Sequence, residues 1–212
     1  MDIFKEIAAA VESGDLDLVK SLTEKALARD VSAEEILNKA LVSGMNVIGE
    51  KFKNMEVFIP EVLVSARAMN GGMEILKPLL IKANVKFKGK VVIGTVKGDL
   101  HDIGKNIVAM MLKGAGYEVT DLGADVSKEK FLDALQKESA DILGLSALLT
   151  TTMTYMKEIV AALGSTDLRA KVKVLVGGAP LTEAYARSIG ADGYAPDAAL
   201  AVDLANSLLG KA

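Results

Sequence analysis

The sequence contains no cysteine and no tryptophan, and it has a single histidine among its 212 residues. Without cysteine the chain cannot form disulfides, thiolate metal sites or iron–sulfur clusters. Any chemistry that needs an imidazole must therefore use His101. Aromatic residues are only 4% of the chain, whereas alanine, valine, leucine and glycine are abundant, which favours α/β or helical packing over an all-β sandwich.

Long runs of one residue class are also missing. The formal net charge is -3, and no basic run interrupts the sequence, which argues against a nucleic-acid partner held through its phosphates. No stretch is long and uncharged enough to span a bilayer. The acidic, amphipathic start lacks the basic and apolar regions of a secretory signal. We therefore expect a cytoplasmic protein without a membrane or nucleic-acid partner.

The first part of the chain, 1–82, has helical periodicity throughout. Gly14 is expected to end a first helix and Asp15 to cap a second one. Ser32 with Glu35 is a plausible capping box for a third helix, and Pro60 suits the first turn of a fourth. Short loops between these helices predict an up-down four-helix bundle.

The pattern changes after a lysine-rich joint, 83–89, which we interpret as a linker to a second domain, 90–212. Strand and helix patterns then alternate five times, which predicts an α/β fold with a parallel sheet covered by helices on both faces. We expect the flavodoxin-like (Rossmann-type) strand order 2-1-3-4-5. The predicted strands are Lys90–Val96, Tyr117–Leu122, Asp141–Ser146, Lys171–Val176 and Gly190–Ala195.

Three loops with unusual residues follow strands 1, 3 and 4, so they are expected at one edge of the sheet. The third strand is followed by a loop that the pattern extends to a helix starting at Met153. The special residues of the three loops are Asp99 and His101 in the first, Ser146, Leu148, Thr150 and Thr152 in the second, and Gly177 and Gly178 in the third.

His101 has two readings on spacing alone. Its ring can be satisfied structurally by a nearby carbonyl, or it can be a ligand whose other ring nitrogen is held by Asp99, two residues earlier. A metal would have only this one strong protein ligand, so a metal that arrives inside a macrocycle fits better than bare zinc or iron. The glycine pair and the hydroxyl residues have equally ordinary readings as a turn and as helix caps.

A family resemblance bears on these alternatives. The run from Gly98 to Val108, Gly-Asp-Leu-His-Asp-Ile-Gly-Lys-Asn-Ile-Val, followed by Ser146-Ala-Leu148 and Gly177-Gly178, resembles the cobalamin-binding module of methionine synthase and of the corrinoid proteins of methyltransferase systems. The segments Met45–Phe52 and Phe58–Val62 resemble the helical cap that precedes this module. The likeness covers nearly the whole chain.

The resemblance implies a role for each matching residue. His101 would be the axial cobalt ligand in place of the cofactor's benzimidazole, Asp99 would bind its other nitrogen, and Thr152 would extend this relay where the family has serine. Gly104 would let the loop turn beneath the corrin. The residues implied to contact the remainder of the cofactor are Ser146, Leu148, Thr150, Gly177 and Gly178 around the nucleotide tail, and Phe52 and Ile59 at the upper face.

The same resemblance implies a corrinoid methyl carrier that is not catalytic alone. Its partners would be a substrate-specific methyltransferase, a second methyltransferase acting on a folate or thiol, and a reductive activase. A complete methionine synthase needs modules that do not fit in 212 residues. The alternative is a cobalamin-dependent sensor. A mutase subunit is disfavoured by the helical cap, and a flavodoxin-like domain without a metal would leave the three motifs unexplained.

Overall fold

The computed structural model describes residues 2–83, 85 and 87–211. The chain divides into two compact units, a helical unit of Met1–Phe87 with Lys113–Gly116 and a sheet unit of Lys88–Leu112 with Tyr117–Ala212. The expected linker, 83–89, includes residues 84 and 86, which lie outside the described residues. In the described part of the chain, no helix is both long and apolar enough to cross a membrane.

The helical unit contains the four predicted helices, the third of which is composite. Its elements are α1 (Ile3–Ser13), α2 (Leu16–Leu27), α3 (Ala33–Ile36), α4 (Val42–Lys53) and α5 (Ile59–Lys82). A π-helical segment, Leu37–Leu41, joins α3 to α4. Helix α2 packs against α5, and α1 packs against both α2 and α4.

Local capping residues set the ends of these helices. The side chains of Asp15 and Ser32 accept backbone N–H groups in the first turns of α2 and α3. Gly14 ends α1 in the left-handed conformation. The Glu61 carboxylate accepts the Phe58 N–H at the start of α5, where Pro60 is the second helical residue. Helices α2, α3 and α5 thus begin where their sequence signals predict, within one residue.

The sheet unit has five parallel strands in the predicted order, β2-β1-β3-β4-β5. They are β1 (Lys90–Thr95), β2 (Glu118–Asp121), β3 (Ile142–Ser146), β4 (Lys173–Gly177) and β5 (Gly193–Tyr194). The last residues of three strands are in register, since Thr95 pairs with Ser146 and Ser146 pairs with Gly177. The loops that follow these strands therefore start side by side at the carboxyl edge.

Helices surround the sheet, and their apolar faces form its core. They are α6 (Ile103–Gly114), α7 (Lys128–Glu138), α8 (Thr150–Gly164), α9 (Glu183–Ser188) and α10 (Ala198–Leu208). Phe131 of α7 and Ile159 of α8 are fully buried with Val92, Leu143 and Val174 of the strands. Burying each such side chain contributes about 1.5–3 kcal/mol.

Two elements differ most from their predicted bounds. Helix α8 begins at Thr150 rather than Met153, so Thr150 and Thr152 lie in its first turn instead of in a loop. Strand β5 has two residues rather than the predicted Gly190–Ala195, because Gly190 takes a left-handed turn conformation and Asp192 binds the Val174 N–H through its carboxylate.

Candidate functional site

The candidate site is built on the loop between β1 and α6. Gly98 turns the chain with a φ of 82°, a conformation that glycine adopts readily. The turn directs Asp99 into the protein, where its side chain is 0% exposed, whereas the side chain of His101 is 53% exposed. The loop thus buries the carboxylate of Asp99 and exposes the imidazole of His101.

Asp99 is the most heavily hydrogen-bonded side chain of the site. Its Oδ1 accepts the backbone N–H of His101 at 3.0 Å and lies 2.8 Å from His101 Nδ1. Its Oδ2 accepts the N–H groups of Leu148 at 2.8 Å and Leu149 at 3.3 Å, and the Thr152 hydroxyl at 2.6 Å. One carboxylate therefore joins the loop after β1 to the start of α8.

These bonds determine the charge of Asp99. Burial raises the pKa of its carboxyl, but the hydrogen bonds from Thr152, Leu148 and His101 outweigh burial and hold the pKa well below its ordinary value. An ionised carboxylate only accepts hydrogen bonds, so His101 Nδ1 must be the donor. Nε2 is then the ring nitrogen left to bind a ligand.

The backbone of His101 is held on both sides. Asp99 accepts its N–H, and the hydroxyl of Thr95, the last residue of β1, donates to its carbonyl oxygen at 3.0 Å. No hydrogen bond links Nε2 to another described residue. Within the described ranges, no three histidine, aspartate or glutamate side chains form a group able to hold a metal ion.

A second loop, between β2 and α7, forms hydrogen bonds with the loop that carries His101. Asp125 has a left-handed backbone conformation, with a φ of 54°, that is uncommon for a residue with a side chain. Its carboxylate accepts the Gly98 N–H at 2.7 Å, and its own N–H donates to the Asp99 carbonyl at 3.0 Å. Asp125 thus binds the turn immediately before His101.

The residues expected around the nucleotide tail lie at the carboxyl edge. Ser146 ends β3 and is half-buried, while Leu148 and Thr150 are exposed beside the start of α8. The structure thus brings Thr152 into direct contact with Asp99, and it brings Leu148 there through its backbone N–H. The side chains of Leu148 and Thr150 remain available to solvent.

The glycines of the site differ in what requires them. Gly178 has a φ of 134°, and a Cβ on it would overlap the carbonyl of Ala147, so internal packing alone demands glycine. A Cβ on Gly177 would lie 3.3 Å from the Ala195 carbonyl oxygen. Gly104 is the second residue of α6, has no positive φ and would place a Cβ in open space. The turn that we expected at Gly104 is therefore at Gly98.

Phe52 and Ile59 belong to the helical unit. Phe52 is half-buried near the end of α4, and Ile59 is the exposed first residue of α5. Their expected contact with the cofactor stays a prediction.

Thr95, Lys105 and Asp125 are site residues that the sequence did not single out. Lys105, in the first turn of α6, is buried, and its amine pairs with Asp121 at the end of β2 and with Asn106. Lysine is rarely buried unless it is paired, so the sequence alone offered no reason to expect Lys105 in the interior. Thr95 and Asp125 carried no signal either, because threonine is an ordinary strand residue and aspartate an ordinary loop residue.

The surface beside His101 suits a large, mostly apolar ring with one open axial position. Leu100 is 77% exposed and Ile103 is 78% exposed, which is unusual for apolar residues on both sides of a histidine. Gly104 leaves space that any side chain would fill. His101 has an exposed side chain and would supply the single ligand through Nε2, so these residues fit a corrin.

Comparisons with known proteins show the family of the chain. Residues 89–203 match a family model described as a B12 binding domain, and residues 3–77 match a second model with the same description. The chain is 46% identical over 214 aligned residues to a corrinoid protein of Desulfitobacterium hafniense, with 100% of the chain and 99% of that protein covered. It is 44% identical over 209 residues to a dimethylamine corrinoid protein of Methanosarcina barkeri, with 98% of each covered.

Two solved structures are also similar. One is a cobalamin-binding protein from Desulfitobacterium hafniense, with a TM-score of 0.78, 33% identity and 98% of each chain covered. The other belongs to the methanol:cobalamin methyltransferase complex from Methanosarcina barkeri, with a TM-score of 0.89 and 33% identity. That match covers 100% of this chain and 81% of the other.

Proposed function

The chain belongs to the corrinoid proteins built from B12-binding domains and binds cobalamin, and from this premise we propose that it is the methyl carrier of a methyltransferase system. When bound, the cobalt of the cofactor supplies the centre that accepts and releases the methyl group. The chain itself binds, orients and tunes that centre. The observation on which the proposal rests is the exposed side chain of His101, whose Nδ1 is held by the buried Asp99.

We assign His101 as the axial ligand in a base-off, His-on arrangement. Because Asp99 accepts the hydrogen bond from Nδ1, the proton stays on Nδ1 and Nε2 would be the coordinating atom, the usual effect of a carboxylate behind a metal-bound imidazole. Thr152 donates to the other oxygen of Asp99 and so stabilises its negative charge.

The residues around His101 would bind the rest of the cofactor. Leu100, Ile103 and the open space at Gly104 would accept the apolar underside of the corrin, and they would exclude water from the ligand bond. The nucleotide tail would enter beside Ser146 and Leu148. The other residues that we assign to this slot are Thr150, Gly177 and Gly178.

The partners of the chain would be methyltransferases of two kinds. One would methylate the bound cofactor from a small methylated compound, and the other would pass the methyl group to a folate or thiol. Relatives named for dimethylamine and a solved complex named for methanol make small methylated amines and alcohols the donor classes to examine. A reductive activase would restore cofactor that has become oxidised.

A loading and transfer experiment tests this function. The purified chain is mixed with hydroxocobalamin and passed through gel filtration, and the bound cobalt(III) is reduced to cobalt(I) with titanium(III) citrate. The reduced protein is then incubated with a dimethylamine- or methanol-specific methyltransferase and its methyl donor. We expect one retained corrinoid per chain and methylation by at least one of the two enzymes. Free methylcobalamin serves as a methyl donor that needs neither enzyme. If the chain retained corrinoid but took up no methyl group from the two enzymes or from methylcobalamin, the carrier role would be contradicted and cobalamin binding would stand.

A further inference from the structure

Thr95 is a hydroxyl residue at the end of an otherwise apolar strand. The residues before it in β1 from Val91 onward are Val-Val-Ile-Gly, and Thr95 itself is 0% exposed. Valine has nearly the same shape and would avoid burying a polar group, which destabilises a protein unless the group is hydrogen-bonded. A hydroxyl at this position therefore needs a specific acceptor.

The acceptor is the carbonyl oxygen of His101, 3.0 Å from the Thr95 hydroxyl. The N–H of the same residue donates to Asp99 Oδ1. Both peptide groups that flank the His101 Cα are thus anchored, one to each of two buried side chains. Together these bonds restrict φ and ψ of His101, whereas the bond from Nδ1 to Asp99 restricts the ring.

Thr95 is itself firmly held. Its N–H donates to the Gly123 carbonyl at 2.9 Å, and its carbonyl accepts the Val126 N–H at 3.0 Å. It also pairs with Ser146 of β3 in the sheet register. The hydroxyl that holds His101 is therefore attached to rigid structure on both sides, as a positioning group must be.

We propose that Thr95 is a positioning residue for the cofactor ligand, holding the His101 backbone so that Nε2 is oriented before the corrin binds. The inference rests on the proposed role of His101 as the cobalt ligand. Asp99 selects the nitrogen that is free, and Thr95 fixes the backbone from which the ring projects. Ordering the loop in advance removes an entropic penalty that binding would otherwise include.

The first test uses the protein without cofactor. Because the chain has one histidine, ¹⁵N-histidine labelling gives signals from His101 alone. We compare wild type with Thr95→Val, which removes only the hydroxyl, and Thr95→Ser, which retains it. Thr166→Val is a matched control, since the Thr166 hydroxyl donates to the Leu163 carbonyl away from the site. We expect the Val variant alone to show broadened or shifted His101 ring and backbone signals.

The second test uses cobalamin-loaded protein. The ratio of His-on to His-off cobalt(II), read by electron paramagnetic resonance, should fall about 3- to 10-fold in Thr95→Val, the effect of one lost hydrogen bond. Thr95→Ser and Thr166→Val should stay within about twofold of wild type. If Thr95→Val does not fold, Thr95→Ala replaces it in the comparison with Thr95→Ser.

The possible results distinguish a failure of the Thr95 inference from a failure of His101 as the cobalt ligand. Wild-type protein without a histidine-ligated signal would overturn the ligand assignment and the Thr95 inference with it. A histidine-ligated wild type with an unchanged Thr95→Val variant would overturn the Thr95 inference alone. Equal losses in Thr95→Val and Thr95→Ser would also overturn it, because the effect would then come from packing rather than from the hydroxyl.

Discussion

Thr152 places its hydroxyl oxygen 2.6 Å from Oδ2 of Asp99, although 53 positions separate the two residues in sequence. The contact joins the first turn of α8 to the loop that carries His101. Asp99 also accepts backbone N–H groups of Leu148 and Leu149 just before that helix. The carboxylate behind the proposed ligand is thus also the acceptor that secures the start of α8.

Removing the Thr152 hydroxyl should destabilise the protein even without cofactor. Thr152→Val leaves the buried Asp99 with one donor fewer, and a hydrogen bond to a charged group contributes about 1.5–3 kcal/mol. Thr152→Ser should remain within about 0.5 kcal/mol of wild type if its hydroxyl keeps the bond. Urea unfolding measures both, with Thr154→Val as the control, because the exposed Thr154 hydroxyl bonds only a carbonyl of its own helix. Equal stability of Thr152→Val and wild type would contradict this role.

Gly104→Ala should separate stability from cofactor binding. No atom outside the adjoining residues and the backbone of α6 lies within 4 Å of the added Cβ, and alanine favours a helix over glycine by at most about 1 kcal/mol, so the unfolding free energy without cofactor should rise. Corrinoid retention should fall, since the methyl group occupies the proposed space beneath the ring. Gly164→Ala is the matched control, because it is also helical with an open Cβ position. Normal retention by Gly104→Ala would show that this space is not used.

The two glycines after β4 should respond differently to alanine. Gly178→Ala introduces both a disfavoured φ and an overlap with the Ala147 carbonyl, so it should destabilise the protein by more than about 1–3 kcal/mol. Gly177→Ala meets only the Ala195 carbonyl at 3.3 Å and should be milder. Thermal unfolding of the two variants gives the comparison. A tolerant Gly178 would mean that its backbone can move away from Ala147.

The buried Tyr117 hydroxyl should make the unfolding free energy fall at alkaline pH. Burial raises the pKa of Tyr117 to about 12 from an ordinary 10.0, and its hydroxyl donates to Asn206. The folded state therefore keeps a proton that the unfolded state releases, so this contribution is complete below pH 10 and is lost as the pH rises towards 12. Unfolding free energies of wild type should fall more steeply across this range than those of Tyr117→Phe. Parallel curves would contradict the assignment.

The fold was predictable because its signals are local. The change from helical to strand periodicity after residue 89, the capping residues and the regular alternation of strands and helices indicate both kinds of architecture. The start of α8 was misplaced for a physical reason. Its N-cap, Leu149, makes no capping bond with its side chain, and the acceptor before the helix is Asp99 on another loop.

In the site, too, contacts between residues close in sequence were predictable and contacts between distant residues were not. Asp99 and His101 lie two residues apart, so their contact could be anticipated from spacing. The partnership of Asp99 with Thr152 came only from the family resemblance, because no periodicity links residues that far apart. Thr95 was missed because its hydroxyl becomes informative only when its burial and its bond to the His101 carbonyl are both known.

The most direct test of His101 as the cobalt ligand is electron paramagnetic resonance of the cobalt(II) form with ¹⁵N-histidine incorporated into the chain. Because His101 is the only histidine, labelling changes the nuclear spin of one possible protein ligand and nothing else nearby. We expect the nitrogen splitting of the axial lines to change from triplets to doublets on labelling and to be absent in His101→Ala. Triplets that persist in the labelled protein would show that the benzimidazole of the cofactor, and not His101, binds the cobalt.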